Sequence, residues 1–398
     1  MRRLFNIFAT TLLAVSFLAC EREKVYNGGD NSTGVEIDLD NCIQFNTGIS
    51  SRGSLIMSDY LQANFNVYGY VYRSNWEAAK AMATPNVFDA TPQTVVYNEG
   101  TYTYTPIVQW TGYKYSFFAY YPAEGKSKNI TITPSGKDIE GEPYITYHFD
   151  RSDPRTTADV MTAQYIDTDA NSTKEVQLHF HHRLSAIDIA AVNYCEYDPD
   201  PENNDATDSL PVTIQIFEAK FTITNLLYNT AQISLNKDIE KSIIPSNSET
   251  STKAEFSIVA DDDSYDTDKL IEPNTDGDIQ MRYITSSEEN TSMIVIPQET
   301  PLHVEPVIRF YKRLPDANGK AKFLDTNEEV KEFDLDAQGG YTGEPPIFKY
   351  ATAFDFDRGL LEGRRYFIQI NFTSDAVSVN IIAADEWDDK QQVNHEFM

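Results

Sequence analysis

Among the side chains that could carry chemistry, the densest group is the run His179-Phe180-His181-His182. On a strand, His179 and His181 project from one face and could share a metal ion. No third ligand stands nearby in the sequence. The simpler expectation is a polar outer face, with His182 packed among apolar residues on the other side. Asn274, Asp276 and Asp278 match the first three odd ligand positions of a calcium loop, but Ile279 stands where that loop needs glycine. A solvated acidic loop is expected there. Paired carboxylates for glycoside hydrolysis cannot be singled out among 61 acidic residues. Walker A, GxGxxG, GxSxG and HExxH motifs are absent from the sequence. Cys20, Cys42 and Cys195 are too scattered for a CxxC redox or zinc site. Cys42 and Cys195 could pair in an oxidising compartment, although two separate thiols are the expectation. No catalytic residue, metal site or cofactor is assigned, and an enzyme is not expected.

The N-terminus offers chemistry of another kind. Arg2 and Arg3 precede an almost uninterrupted apolar run from Leu4 to Leu18. A run of about 15 residues suits a secretion signal and is short for a membrane span. Ala19 directly before Cys20 resembles the lipobox of bacterial lipoproteins. Residues 1–19 are therefore expected to be a signal peptide, and Cys20 the lipidated N-terminus of the mature chain. Residues 20–34, polar and containing Gly28, Gly29, Asn31 and Ser32, read as a flexible tether. No other apolar run of that length follows, so acyl chains are the only membrane attachment expected.

Most of the remaining chain reads as strands that must position any site. Val35, Ile37, Leu39, Ile43, Phe45 and Ile49 share one odd-numbered register. They describe one long one-faced strand or two collinear ones. Phe65, Val67, Gly69 and Val71 share a face, and Tyr68, Tyr70 and Tyr72 take the other. Further alternation marks Tyr113–Tyr121, Val176–His182, Ile214/Ile216, Phe221/Ile223, Ile233/Leu235, Phe256/Ile258 and Met293/Val295. Two more strands follow at Tyr366–Phe372 and Val377–Ile381. One short helix is expected over Asn75–Met82. The even register of Val176–Leu184 becomes odd at Ile187, so a bulge, bend or strand switch must intervene. That places a domain boundary near residue 183. The fold class expected is all-β, with antiparallel β-sandwiches in tandem over 35–182 and 183–398.

Composition agrees. The 24 Tyr and 22 Phe suit pleated, half-buried surfaces. With 61 acidic and 32 basic residues the net charge is −29, and loss of Arg2 and Arg3 with the signal would make it −31. Such acidity argues against nucleic acid as a partner.

Longer stretches resemble a known family. FNVYGYVY (65–72), VFDATPQTVVYNEGTYTYTPIVQW (87–110), YKYSFFAYYP (113–122), ADVMTAQ (158–164), VQLHFHHRLSAIDI (176–189), GRRYFIQINF (363–372) and IIAADEW (381–387) are similar, in order and spacing, to the fimbrillin lipoproteins of Bacteroidales. The resemblance implies two transthyretin-like sandwich domains and a fimbrial (pilus) role at the cell outer membrane. It implies partners among other fimbrial subunits, self or accessory, with a host or bacterial surface ligand in adhesive members. In polymerising members a trypsin-like protease removes the first strand after an Arg, and a neighbour's C-terminal strand fills the groove. Here Val35–Ile49 would be the exchangeable first strand, Arg52 and Gly53 would flank the cut, and Val377, Val379 and Ile381 would lie on the donor strand. Burying six such apolar side chains is worth roughly 10 to 18 kcal/mol as an upper bound. The alternative is a non-polymerising lipoprotein adhesin or glycan-binding protein, with tyrosines such as Tyr68, Tyr70 and Tyr72 either stacked on sugar or buried.

Overall fold

A computed structural model describes residues 41–49, 61–123, 131–139, 141–152, 154, 158–172, 175–199, 209–259, 270–274, 282–283, 292–337, 340–356 and 359–383. In chain order the elements of the first half are β1 (Gln44–Ile49), β2 (Phe65–Tyr72), α1 (Trp76–Ala79), β3 (Gln93–Asn98), β4 (Thr101–Thr103), β5 (Lys114–Tyr121), β6 (Thr133–Ile139), β7 (Glu142–His148), β8 (Met161–Thr168) and β9 (Glu175–His182). The second half continues with β10 (Ser185–Tyr194), β11 (Glu196–Tyr197), β12 (Leu210–Pro211), β13 (Thr213–Ile223), β14 (Thr230–Ser234), β15 (Ile243–Ser246), β16 (Ala254–Val259), β17 (Leu270–Ile271) and β18 (Arg282–Tyr283). Then come β19 (Met293–Val295), β20 (Leu302–Ala317), β21 (Lys320–Leu324), β22 (Val330–Asp334), β23 (Phe348–Tyr350), β24 (Phe354–Phe356), β25 (Arg365–Thr373) and β26 (Val377–Ala383).

The protein is all-β. A seven-stranded sheet has the order β1-β9-β8-β5-β2-β3-β4. Its central strands are covered on both faces, which explains their near-continuous apolar and aromatic composition. Phe65, Val67, Phe117 and Ala119 enter a smaller core with Val176, Leu178 and Phe180. Tyr68, Tyr70, Phe118 and Tyr120 face a larger core on the other side. Tyr68 and Tyr70 are 1% and 2% exposed, so they are buried and present no surface to a sugar. Tyr70 packs edge-on to Trp76 at 4.9 Å, beneath the helix. That helix is shorter than the composition of residues 75–82 suggests. Asn75 caps it by accepting from the Ala78 N–H at 2.9 Å.

The chain changes sheets where the register flips. β9 ends at His182 in the first sheet, and β10 begins at Ser185 in a second sheet of order β18-β10-β25-β26. Arg183 lies between them, fully buried. Its guanidinium donates to Thr162 Oγ1 at 2.7 Å and to the Ser234 carbonyl at 2.6 Å, and it pairs with Glu362. Satisfying a buried cation in this way is what makes its burial tolerable.

Two features cross residue 183. β7 pairs antiparallel with β14, joining β6 and β7 to β14 and β15 in one four-stranded sheet. The larger core likewise runs from Tyr68, Trp76 and Tyr147 through Ile189 and Phe221 to Ile368 and Phe372. An eight-stranded sheet is built around β13 and the 16-residue β20. Two strand pairs depart from the antiparallel expectation: β1 with β9, and β10 with β25, are parallel.

Candidate functional site

The residues that hold the first strand form the most specific arrangement in the described chain. β1 lies at the edge of the seven-stranded sheet and pairs parallel with β9, from Gln44 opposite Glu175 to Ile49 opposite Phe180. Just before β1, the segment carrying Val108 to Trp110 grips its other side. The Ile43 N–H donates to the Val108 carbonyl and the Trp110 N–H to the Asn41 carbonyl, each at 2.9 Å. The Tyr104 hydroxyl donates to the Ile43 carbonyl at 2.9 Å, and burial pushes its pKa up to about 12.

Side chains at 43, 45 and 47 point inward, as the odd register requires. Ile43 and Phe45 are buried in the smaller core. Phe45 lies among rings from four segments: Phe65, Phe88, Tyr104 and Phe117, with centroids 5.4 to 6.3 Å away. The third inward position is polar. The Thr47 hydroxyl accepts from the Leu61 N–H at 3.0 Å and stands 2.6 Å from the Tyr102 hydroxyl. Since Tyr102 donates its proton to the Leu61 carbonyl, the Thr47 hydroxyl must donate to the Tyr102 oxygen. This closed ring ties β1 to Leu61, the buried residue at which the described chain resumes.

Of the six apolar positions expected on the first strand, Ile43 and Phe45 are buried. The Ile49 backbone continues the strand, and its side chain lies outside the described residues. Val35, Ile37, Leu39, Cys20, Arg52 and Gly53 also lie outside them. Two buried side chains contribute about 3 to 6 kcal/mol of transfer free energy, less than the figure for six. The candidate donor, β26, is the end strand of its own sheet and is hydrogen-bonded antiparallel to β25. Val377 and Val379 are half-buried against the larger core; the Ile381 side chain is outside the described residues. Leu61, Tyr102, Tyr104 and Trp110, which complete the seat, were not singled out from the sequence. Only the Tyr102/Tyr104 alternation hinted at them.

The other candidates are not brought together. His179 is exposed and lies over Gly48 of β1, where an added Cβ would come 2.7 Å from its Nδ1. His181 is half-buried, and desolvation lowers its pKa to about 4. His182 points the opposite way, buried 2.5 Å from Asp159. Among the described residues no group of three His, Cys, Asp or Glu side chains could hold a metal. Asn274 donates its N–H to the Asn193 carbonyl, while Asp276 and Asp278 lie outside the described residues. Cys42 and Cys195 are buried and neither is in a disulfide, so no such bond tethers β1. Among the described residues no helix is long and apolar enough to cross a membrane.

These features define an all-β protein whose first strand is seated by side chains gathered from the rest of the chain. Residues 62–385 match the fimbrillin-like family, and the chain belongs to that family. Over 233 residues it is 29% identical to the fimbrium subunit Fim1C of Phocaeicola vulgatus, covering 53% of this chain and 56% of that relative. The chain thus spans little more than half the length of the curated relative it matches. The crystal structure of a fimbrial protein from Bacteroides vulgatus superposes with a TM-score of 0.54 at 17% identity, covering 86% of this chain and 99% of that one. That likeness concerns the fold.

Proposed function

We propose that this protein is a cell-surface fimbrial subunit, exported as a lipoprotein through Cys20, that assembles by donor-strand exchange. On this reading its outer-membrane form carries two tandem transthyretin-like domains, and its partners are other subunits of the fimbrium. The observation that carries the reading is the seat of β1. A strand that buries Ile43 and Phe45 is held by residues from Leu61 to Phe180, and its covalent link to that seat runs through the segment containing Arg52 and Gly53. Cutting there and withdrawing β1 would expose Phe65, Phe88, Tyr104 and Phe117 and leave the edge of β9 unpaired. Such a groove is stable only when refilled, and a strand with the alternation of Val377, Val379 and Ile381 has the pattern to refill it.

The test is limited digestion with an Arg-specific protease. The expected product starts at Gly53, loses the β1 peptide and forms higher oligomers. Resistance of Arg52, or a cut product that stays monomeric without its first strand, would overturn the proposal.

A further inference from the structure

Beside the start of β1 the surface opens into a polar pocket of about 440 Å³. Arg73, Tyr113, Lys114, Asp169, Trp110 and Asn41 lie in its lining. Lys114 and Asp169 neutralise each other across 2.8 Å, and this hydrogen bond holds the Asp169 carboxyl down at about 2. Arg73 forms no ion pair among the described residues; its guanidinium stands 5.6 Å from the centre of the Tyr113 ring. The pocket therefore carries one surplus positive charge on a protein whose net charge is −29. Tyr113 is 43% exposed. Trp110, in the same lining, is 5% exposed and packs its ring edge-on to Tyr115 at 4.9 Å.

We propose that this pocket binds a carboxylate-bearing sugar residue. Arg73 matches the carboxylate, for which the guanidinium fork suits two parallel hydrogen bonds. Tyr113 offers a ring face for the apolar side of the sugar. Asp169 and Asn41 offer the acceptor and donor that hydroxyl groups require. With Lys114 and Asp169 neutralising each other, the single surplus charge of Arg73 matches one carboxylate rather than a doubly charged phosphate or sulfate. The volume falls within the range of small-ligand sites. The inference is independent of strand exchange and concerns the uncut protein.

The experiment titrates the purified protein with N-acetylneuraminic acid, glucuronic acid, glucose and inorganic sulfate, reading tryptophan fluorescence and ligand-observed NMR. At least one acid should bind with a dissociation constant on the order of 1 mM, and glucose and sulfate at least about tenfold more weakly. Which acid binds separates a sialylated source from a uronic-acid polysaccharide. Arg73→Gln and Tyr113→Ala should each weaken binding by about tenfold or more while circular dichroism stays unchanged. Both residues are exposed, so neither change threatens folding. No binding of either acid up to about 10 mM, glucose or sulfate binding as well as the acids, or wild-type affinity in Arg73→Gln would overturn the proposal.

Discussion

The ring of Phe45 meets the ring of Phe117 edge to face, with centroids 5.4 Å apart and planes at 87°. Phe45 belongs to β1 and Phe117 to β5, which are separated in the sheet by β9 and β8. The contact is therefore made through the core, and it anchors the outermost strand to the middle of the sheet.

Truncating this anchor should loosen β1 selectively. Phe45→Ala is expected to cost about 3 to 5 kcal/mol, the usual range for a large aromatic removed from a packed core. Urea unfolding would read the loss as a lower midpoint. Protease sensitivity near Arg52 should rise in parallel. An unchanged midpoint would mean that β1 contributes little to the folded state.

Arg183 is the second point of leverage. Replacing it with Met keeps much of the side-chain volume but leaves Thr162 and the Ser234 carbonyl without their donor. A loss of about 1 to 3 kcal/mol is expected. Because the larger core is continuous across residue 183, calorimetry should show one transition that moves as a whole. Two transitions, with only one displaced, would contradict the continuity.

His181 gives a pH dependence whose sign is fixed. Desolvation is the largest cause of its shift from 6.5 to about 4, helped by nearby Lys237 and Arg183. Between those values the unfolded chain binds a proton that the folded chain refuses. Its contribution to stability is therefore fully present above pH 6.5 and falls away as the pH drops toward 4. His181→Gln should flatten this part of the stability curve relative to wild type. Parallel curves for the two proteins would show that the histidine is not the cause.

Burial should keep Cys195 inert. Its thiol is pushed up to about 11, so almost no thiolate exists at neutral pH. With Cys20 replaced by Ser, iodoacetamide at pH 8 should leave the folded protein unlabelled, and mass spectrometry should find both remaining thiols labelled after denaturation. Rapid labelling of the native protein would refute the buried placement of these thiols.

Local patterns carried much of this architecture. Period-two alternation located β2, β5, β9, β13, β25 and β26, because a strand with distinct faces writes them into its sequence. The register flip after Leu184 marked a true change of sheet, for one residue of slip reverses every side chain. Pairing partners were not legible. Nothing near Phe45 announces that it will meet Phe117, and nothing in β7 names β14, since those contacts form between segments distant in the chain. The longest strand, β20, also escaped notice although Leu302, Val304, Ile308 and Phe310 alternate. Pro306 interrupts the run, and proline argues against a strand interior when read locally. The inward Thr47 was passed over in the apolar register at β1, because its role depends on Tyr102 and Leu61, which the local pattern does not reveal.

The parallel pairing of β1 with β9 has a directional consequence. An antiparallel seat and a parallel seat demand opposite chain polarity of whatever strand fills them, and the hydrogen bonds offered by Glu175 to Phe180 suit a strand running alongside β9. A substitute entering in the reverse sense would meet a different ladder. If copies link through this seat, each link inherits the same heading, so the resulting thread has a distinguishable front and back and grows differently at the two.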